Sequence, residues 1–472
     1  MPFYQPPPQQ PTFASLLHSF AQHPGLPFGE ALPEELIDRI AAEEGVDFGN
    51  QADAVYTPAV TLWAFLAQCL SDSKSCVAAV ARVIVLCVSL DRPACSAATG
   101  AYCLARARLP VPFLRRLTYH LGQSLEAQAE PSWLWHNRHV KLIDGTCLSA
   151  PDTPANQAVY PQLKAQRPGL GFPLIRLVVL LTFATAALVG AAYGPVKGKE
   201  SGETALFRTL LEQLQRGDVV VADRYFCSYW MIALLQQRGV DVAFRLHQRR
   251  HCDFRRGQRL GRHDHIVQWP KPARPSWMDQ ATYESLPDEL TVREVRVTIE
   301  TPGVRVRTLV VVTTLLDAKR YSRDDIGDLY HQRWHVELDI RSIKQTLGMD
   351  VLSCKTPEML KREIWVHLLG YNMVRQVQVQ TALAQGLRPR QLSFAGAVQT
   401  LNAFRWLLQC SEGERLQFAC RVLYVAVATH RVGNRPDRVE PRRLKRRKQR
   451  YSYLVIPRPQ ARAALLADST QE

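Results

Sequence analysis

The sequence predicts an α/β chain with a helical amino-terminal region and a β-rich insertion, and three features of it carry that prediction. Helical periodicity fills Phe13 to about Asn137. At His139 the period changes to strands alternating with amphipathic helices. From 247 to about 317, long strand patterns follow one another with no helical stretch between them. With 472 residues, 46% of them hydrophobic, the chain has material for roughly two to four domains and an ample core.

Residues 1–12 are rich in proline and glutamine, a composition that favours disorder. In the helical region, 13–138, Pro33 followed by EELIDRIAAEEG starts a helix that Gly45 stops. Tyr56–Leu70, Lys74–Leu90, Ser96–Arg108 and Phe113–Gln128 read as further helices. Arg106, Arg108, Arg115 and Arg116 flank the break at Pro110. A helix-turn-helix-like DNA contact competes there with ordinary bundle helices that carry basic surface residues.

The first part of the α/β unit spans 139–246. HVKLIDGT alternates and delivers Asp144 to the carboxyl end of a strand. Leu174–Leu181 and Ala186–Tyr193 are near-continuous apolar runs, expected as two central strands of one sheet. No uninterrupted apolar run there reaches the roughly 20 residues a membrane span needs, so no membrane partner is expected. Glu203–Leu214 reads as amphipathic helix, and VVVADRYF as a short buried strand ending at Asp223. Ser228–Gln237 and Asp241–Leu246 complete the alternation as helix and strand. The insertion, 247–317, opens on the basic run HQRRHCDFRRGQRLGRHDH and carries strands at Ile266–Trp269, Thr291–Glu300 and Val304–Leu315.

The segment 318–383 opens on a single helix from Ser322 to Met349, with Ser322 as N-cap, Asp324 and Asp325 in the first turn and Gly348 as its stop. At 100° per residue, Tyr330, Arg333, Glu337 and Lys344 share an arc of about 60°. Val336, Ile340, Ile343 and Leu347 form the neighbouring apolar stripe. The helix therefore seals a core with one face and presents a carboxylate flanked by cations at its edge; a plain solvated face with i,i+4 pairs is the competing explanation. Thr356-Pro357 opens a long helix to about Leu383, and 384–472 is a helical region with a basic tail. Ten Lys/Arg stand against two acids in Arg431–Arg450, a net of +8, with Arg442, Arg443, Lys445, Arg446, Arg447 and Lys448 as candidate DNA contacts.

A formal net charge of +16 points to a polyanionic partner. Eleven scattered cysteines without a CxxC fit a reduced, cytoplasmic chain associated with the nucleoid, and the start lacks the basic and apolar regions of a secretory leader. The acids Asp144, Asp223 and Glu337 are separated by 79 and 114 residues. Each alone is explained by a turn or a solvated face. Convergent, they would make an all-oxygen site for Mg²⁺, able to hold two ions for in-line displacement at phosphorus. His247, His251, Cys252, His263 and His265 fit no standard zinc-finger spacing and read as histidines interleaved with arginines on a DNA-facing surface. Cys147 has no histidine locally paired with it, which argues against a thiol nucleophile.

LIDGT, VVVADRYF and the spacing Y-x2-R-x3-E-x6-K from Tyr330 to Lys344 resemble the three blocks of DDE transposases of bacterial insertion sequences. The resemblance covers about half the chain, 139 to 383. It implies a ribonuclease H-like core carrying the β-rich insertion, with Asp144, Asp223 and Glu337 as catalytic, metal-binding residues. It implies two Mg²⁺ ions, with Mn²⁺ as a substitute, and a grip on the transposon-end backbone by Tyr330, Arg333 and Lys344. The expected partner is double-stranded DNA, both transposon ends and target, bound by a homodimer; Tyr225 is a further candidate for lining the site. The expected activity is cleavage at the element's ends and joining of the 3′-OH to target DNA. A related ribonuclease H-like nuclease without strand transfer, and a catalytically dead DNA-binding protein, are the alternatives.

Overall fold

The structure is a computed structural model that describes residues 32, 34–48, 54–71, 73–89, 92–298, 308–409, 411, 413–433 and 453–468. Residues 1–12 and the basic cluster Arg442, Arg443, Lys445, Arg446, Arg447 and Lys448 lie outside the described residues.

The amino-terminal helices are α1 (Glu34–Glu43), α2 (Pro58–Cys69), α3 (Cys76–Ser89), α4 (Gly100–Arg108) and α5 (Val111–Ala127). Local chemistry sets several of their ends. The Thr57 hydroxyl accepts from the Val60 amide at 3.2 Å, with Pro58 in the first turn of α2. Gly45, at φ 63°, takes the left-handed conformation just after α1. Arg106 turns inward, donating to Gln68 at 2.9 Å and lying over the rings of Phe65 and Tyr102, while Arg116 pairs with Glu43 and Glu44. These two arginines therefore tie helices together, Arg106 from within the helical core and Arg116 from its surface.

β1 (Val140–Ser149), α6 (Pro154–Val159), β2 (Leu174–Thr182), β3 (Leu188–Pro195), α7 (Glu203–Arg208), β4 (Val219–Ala222), α8 (Tyr229–Gln237) and β5 (Asp241–Arg245) follow. Next come β6 (Gln258–Gly261), β7 (Asp264–Pro270), α9 (Gln280–Ser285), β8 (Glu289–Thr298) and β9 (Thr308–Thr313). All nine strands form one sheet, in the order β3-β2-β1-β4-β5-β9-β8-β7-β6. β1 pairs antiparallel with β2 and β2 with β3, whereas β1, β4 and β5 run parallel. The strands of the inserted segment continue the same sheet from β5 through β9. Two expectations are corrected here: β3 is an edge strand, and α9 places a short helix inside 247–317.

Alternation along the strands divides the core. Leu142, Val219, Val221 and Val311 belong to the apolar cluster on one face, and Ile143, Val220, Val242 and Val312 to that on the other. The first cluster includes residues of α1–α5, α10 (Arg323–His331), α11 (Trp334–Arg341), α12 (Pro357–Gln385), α13 (Phe394–Gln409) and α14 (Gly413–Thr429); the second draws on α7 and α8. α15 (Arg458–Asp468) closes the described chain. Each fully buried Val, Leu or Ile side chain is worth about 1.5–3 kcal/mol, so covering both faces is what makes near-continuous apolar strands such as β2 stable.

Candidate active site

The parallel pairing of β1 with β4 ends at Leu142–Val221. Asp144 comes two residues later, still paired with Val179 of β2, and Asp223 is the first residue beyond β4. Asp144 thus sits inside a strand that runs on to Ser149, not at its end as the sequence suggests. What ends there is the pairing with β4, and the gap so opened lies at the carboxyl end of the parallel strands, where open α/β sheets place ligands. Oδ1 of Asp144 accepts from the Gly145 amide at 2.8 Å, and Oδ1 of Asp223 from the Tyr225 amide at 2.8 Å.

The segment from Ser322 to Met349 is not one helix. Ser322 caps α10 through a reciprocal pair with Asp325. At Gln332 and Arg333 the bonding tightens to i→i+3, with His335 to Gln332 at 3.0 Å and Val336 to Arg333 at 3.1 Å. After α11 the chain widens into a π-turn, Ser342–Thr346. The expected common arc therefore does not hold over its full length. The apolar stripe does: Val336, Ile343 and Leu347 are buried, and Ile340 packs against them half-buried. Asp339 ties α11 down, accepting from Arg375 of α12 at 2.6 Å and from Arg390 at 3.0 Å.

Arg333 links the two halves of the site. Its guanidinium lies 2.9 Å from Glu337 and 3.7 Å from Asp144. The three carboxylates of Asp144, Asp223 and Glu337 do not all come within 4.8 Å of one another, and the cation of Arg333 stands between Asp144 and Glu337. Burial pushes the Asp144 carboxyl up to about 6; the Gly145 amide and Arg333 oppose this, and nearby Asp223 and Glu203 reinforce it. Tyr330 is 5% exposed, and burial pushes its phenol up to about 12 despite the neighbouring Arg333. Its hydroxyl thus lies among Arg333, Arg245 and Asp223 rather than on an open surface. Lys344 reaches back to β1, donating to the Cys147 carbonyl at 3.0 Å, and pairs with Asp350 at 2.9 Å.

Sequence reasoning missed Glu203, at the start of α7. A Cβ on Gly145 would lie 2.4–2.7 Å from its side chain, so the glycine leaves the room its carboxyl occupies. Burial raises that carboxyl, with Arg176 opposing and Asp223 reinforcing. Nothing in the spacing around Glu203 marks it, because its approach depends on α7 packing on β2 and β3 beside β1. Beside Asp223, a cavity of about 400 Å³ is lined by Tyr225, Arg208, Arg249, Arg250, Trp230 and Trp277. Tyr225 is 59% exposed and Arg208 stacks 3.8 Å over Trp277. His265, expected on a DNA-facing surface, is buried at 1% exposure because β7 is covered on both faces there.

The model of the Transposase DDE domain family matches residues 135–373. Over 436 residues the chain is 28% identical to Transposase InsG for insertion sequence element IS4 of Escherichia coli (strain K12), covering 91% of this chain and 94% of that protein. A stretch of 68 residues is 32% identical to the transposase for insertion sequence element IS421 of Escherichia coli, 14% of this chain and 18% of that one. Among solved structures, the piggyBac transposase synaptic complex with hairpin DNA overlaps 86% of this chain and 85% of that chain, at a TM-score of 0.39 and 10% identity.

Proposed function

Since the chain belongs to the Transposase DDE domain family, we propose that it binds the ends of its element, cleaves the phosphodiester there and joins the freed 3′-OH to target DNA. The observation that carries this reading is the placement of Asp144 and Asp223 at the end of one parallel pairing, with Arg333 bridging from Asp144 to Glu337. The strand order β3-β2-β1-β4-β5, with its antiparallel half and its parallel half, supports a ribonuclease H-like core.

Asp144, Asp223 and Glu337 would hold divalent cations, Mg²⁺ by choice. The donor set is all oxygen, as such hard ions prefer, and the crowding of Asp144, Asp223 and Glu203 calls for positive charge. When bound, the ions activate the attacking oxygen and stabilise the leaving one. The protein does the rest. Asp339, clamped by two arginines, fixes α11, and with it the position from which Glu337 meets Arg333. Arg333 offers a planar fork that suits a phosphate as well as a carboxylate, and substrate would draw it away from Glu337. Lys344 adds a point charge beyond Thr146. The basic and aromatic cavity beside Asp223 extends the grip along the strand. Two copies, one per element end, would complete the synaptic assembly.

The test is a nicking and joining assay on a DNA fragment carrying the element's end. Asp144→Ala, Asp223→Ala and Glu337→Ala should each abolish nicking while end binding persists. A Glu337→Ala protein that cuts at near wild-type rate removes Glu337 from the site, and nicking without joined product favours the plain nuclease.

A further inference from the structure

We propose that Cys252, His265 and Glu294 form a zinc site that staples the basic loop after β5 to the sheet. The three residues come from separate segments: Cys252 from the loop, His265 from β7 and Glu294 from β8. Their ligand atoms all lie within 4.8 Å of one another. Sγ of Cys252 is 3.6 Å from Nε2 of His265, which is 3.0 Å from Oε2 of Glu294. Tetrahedral zinc with ordinary bond lengths separates S from N by about 3.6 Å and N from O by about 3.4 Å. The first distance fits already, and the second needs an opening of about 0.4 Å.

The surrounding hydrogen bonds aim these atoms at a common point. Nδ1 of His265 lies 2.6 Å from the Arg256 carbonyl, which can only accept, so Nδ1 carries the proton. Once an ion displaces the proton shared between Nε2 and Oε2 of Glu294, the ring presents its lone pair at Nε2, between the thiol and the carboxylate. The Trp269 indole donates to the other oxygen of Glu294 at 3.1 Å, leaving Oε2 for the ion. Such outer partners are what fix metal-ligating histidines and carboxylates. Phe254 lies against the His265 ring at 4.8 Å and supplies an apolar wall. A thiolate, an imidazole and a carboxylate together select zinc over magnesium, with water in the fourth position. Binding would displace the thiol proton and any proton on Nε2 to solvent, so at most two protons leave per ion.

The ion would fix the loop that carries Arg249 and Arg250, which line the cavity beside Asp223. Arg250 already stacks 3.8 Å over Trp269, the residue that orients Glu294. The importance of that loop for DNA rests on the transposase reading; the zinc site does not.

The test uses the full chain, reduced and stripped with a chelator, then titrated with Zn²⁺ against a chromophoric competitor and separately with Co²⁺. The wild type should take up one ion that shows a thiolate-to-cobalt band. Cys252→Ala, which leaves the His265–Glu294 pair intact, should lose that ion and band. Glu294→Gln should bind it at least tenfold more weakly. Cys69→Ala, in a second buried cluster whose Glu363 is already satisfied by the amides of Ser353 and Cys354, should bind it normally. Equal uptake by wild type and Cys252→Ala, or none by wild type, overturns the site. Neither result touches the nicking assay, so the two proposals fail separately.

Discussion

Asp144 carries a stability cost that its burial explains. Its carboxyl titrates near 6 in the folded chain against 3.8 for the free group, mainly because it is buried. The native state therefore holds the extra proton between those values, and stability falls as pH rises through that window. Above it the full cost is present, at most about 3 kcal/mol for two units. In metal-free buffer, Asp144→Asn should melt higher than wild type at pH 7.5, with the gap closing toward pH 4; a lower melt at pH 7.5 would refute the buried-charge account. Gly145 next to it has a different task. Its missing Cβ leaves room for Glu203, so Gly145→Ala should displace that carboxyl and, through it, the acids. A shift of about 1 Å at such a site can cost about 10²-fold in rate. Nicking should fall by about that factor with DNA binding unchanged, and an unaffected rate would show that Glu203 is a bystander.

At the scale of elements, the site depends on how α11 is held. Two buried guanidiniums, from Arg375 and Arg390, converge on Asp339. Arg390 also donates to the carbonyls of Thr182, at 2.8 Å, and Phe183, so α11, α12 and the β2–β3 turn meet at one carboxylate. Removing one partner of a buried pair leaves uncompensated charge, which typically costs about 3–5 kcal/mol. Asp339→Ala should lower stability by about that amount in denaturant titration. Asp339→Asn, which still accepts hydrogen bonds, should lose less. The helix break at Gln332–Arg333 and the π-turn beyond Arg341 belong to the same scale. They re-aim Arg333 and Lys344 individually, Arg333 between Asp144 and Glu337 and Lys344 onto β1.

Across the whole molecule, one sheet joins the acid-bearing strands to the basic loop, and one apolar cluster joins that sheet to the amino-terminal helices. The carboxyl-terminal basic run, 431–450, adds a charge of +8, most of it from outside the described residues. If it neutralises Z phosphates, deleting 431–450 should flatten the slope of log K against log salt by about 0.9Z. An unchanged slope in the truncated protein would assign the run to another task.

The sequence by itself determined most element types and singled out the acids as candidates. Strands with near-continuous apolar runs, a capped helix at Ser322 and the Thr356-Pro357 start of α12 are local preferences, written in neighbouring residues. The spacing Y-x2-R-x3-E-x6-K and the carboxylates beside short apolar strands were legible for the same reason. Only the tertiary structure decided that β3 lies at an edge, that the insertion extends the sheet, and that Asp144 lies mid-strand where one pairing stops. It alone brought Glu203 over Gly145, and Glu294 to Cys252 and His265. Those approaches join residues 29 to 58 positions apart through strand register and helix packing, whose free energy belongs to no single stretch of chain.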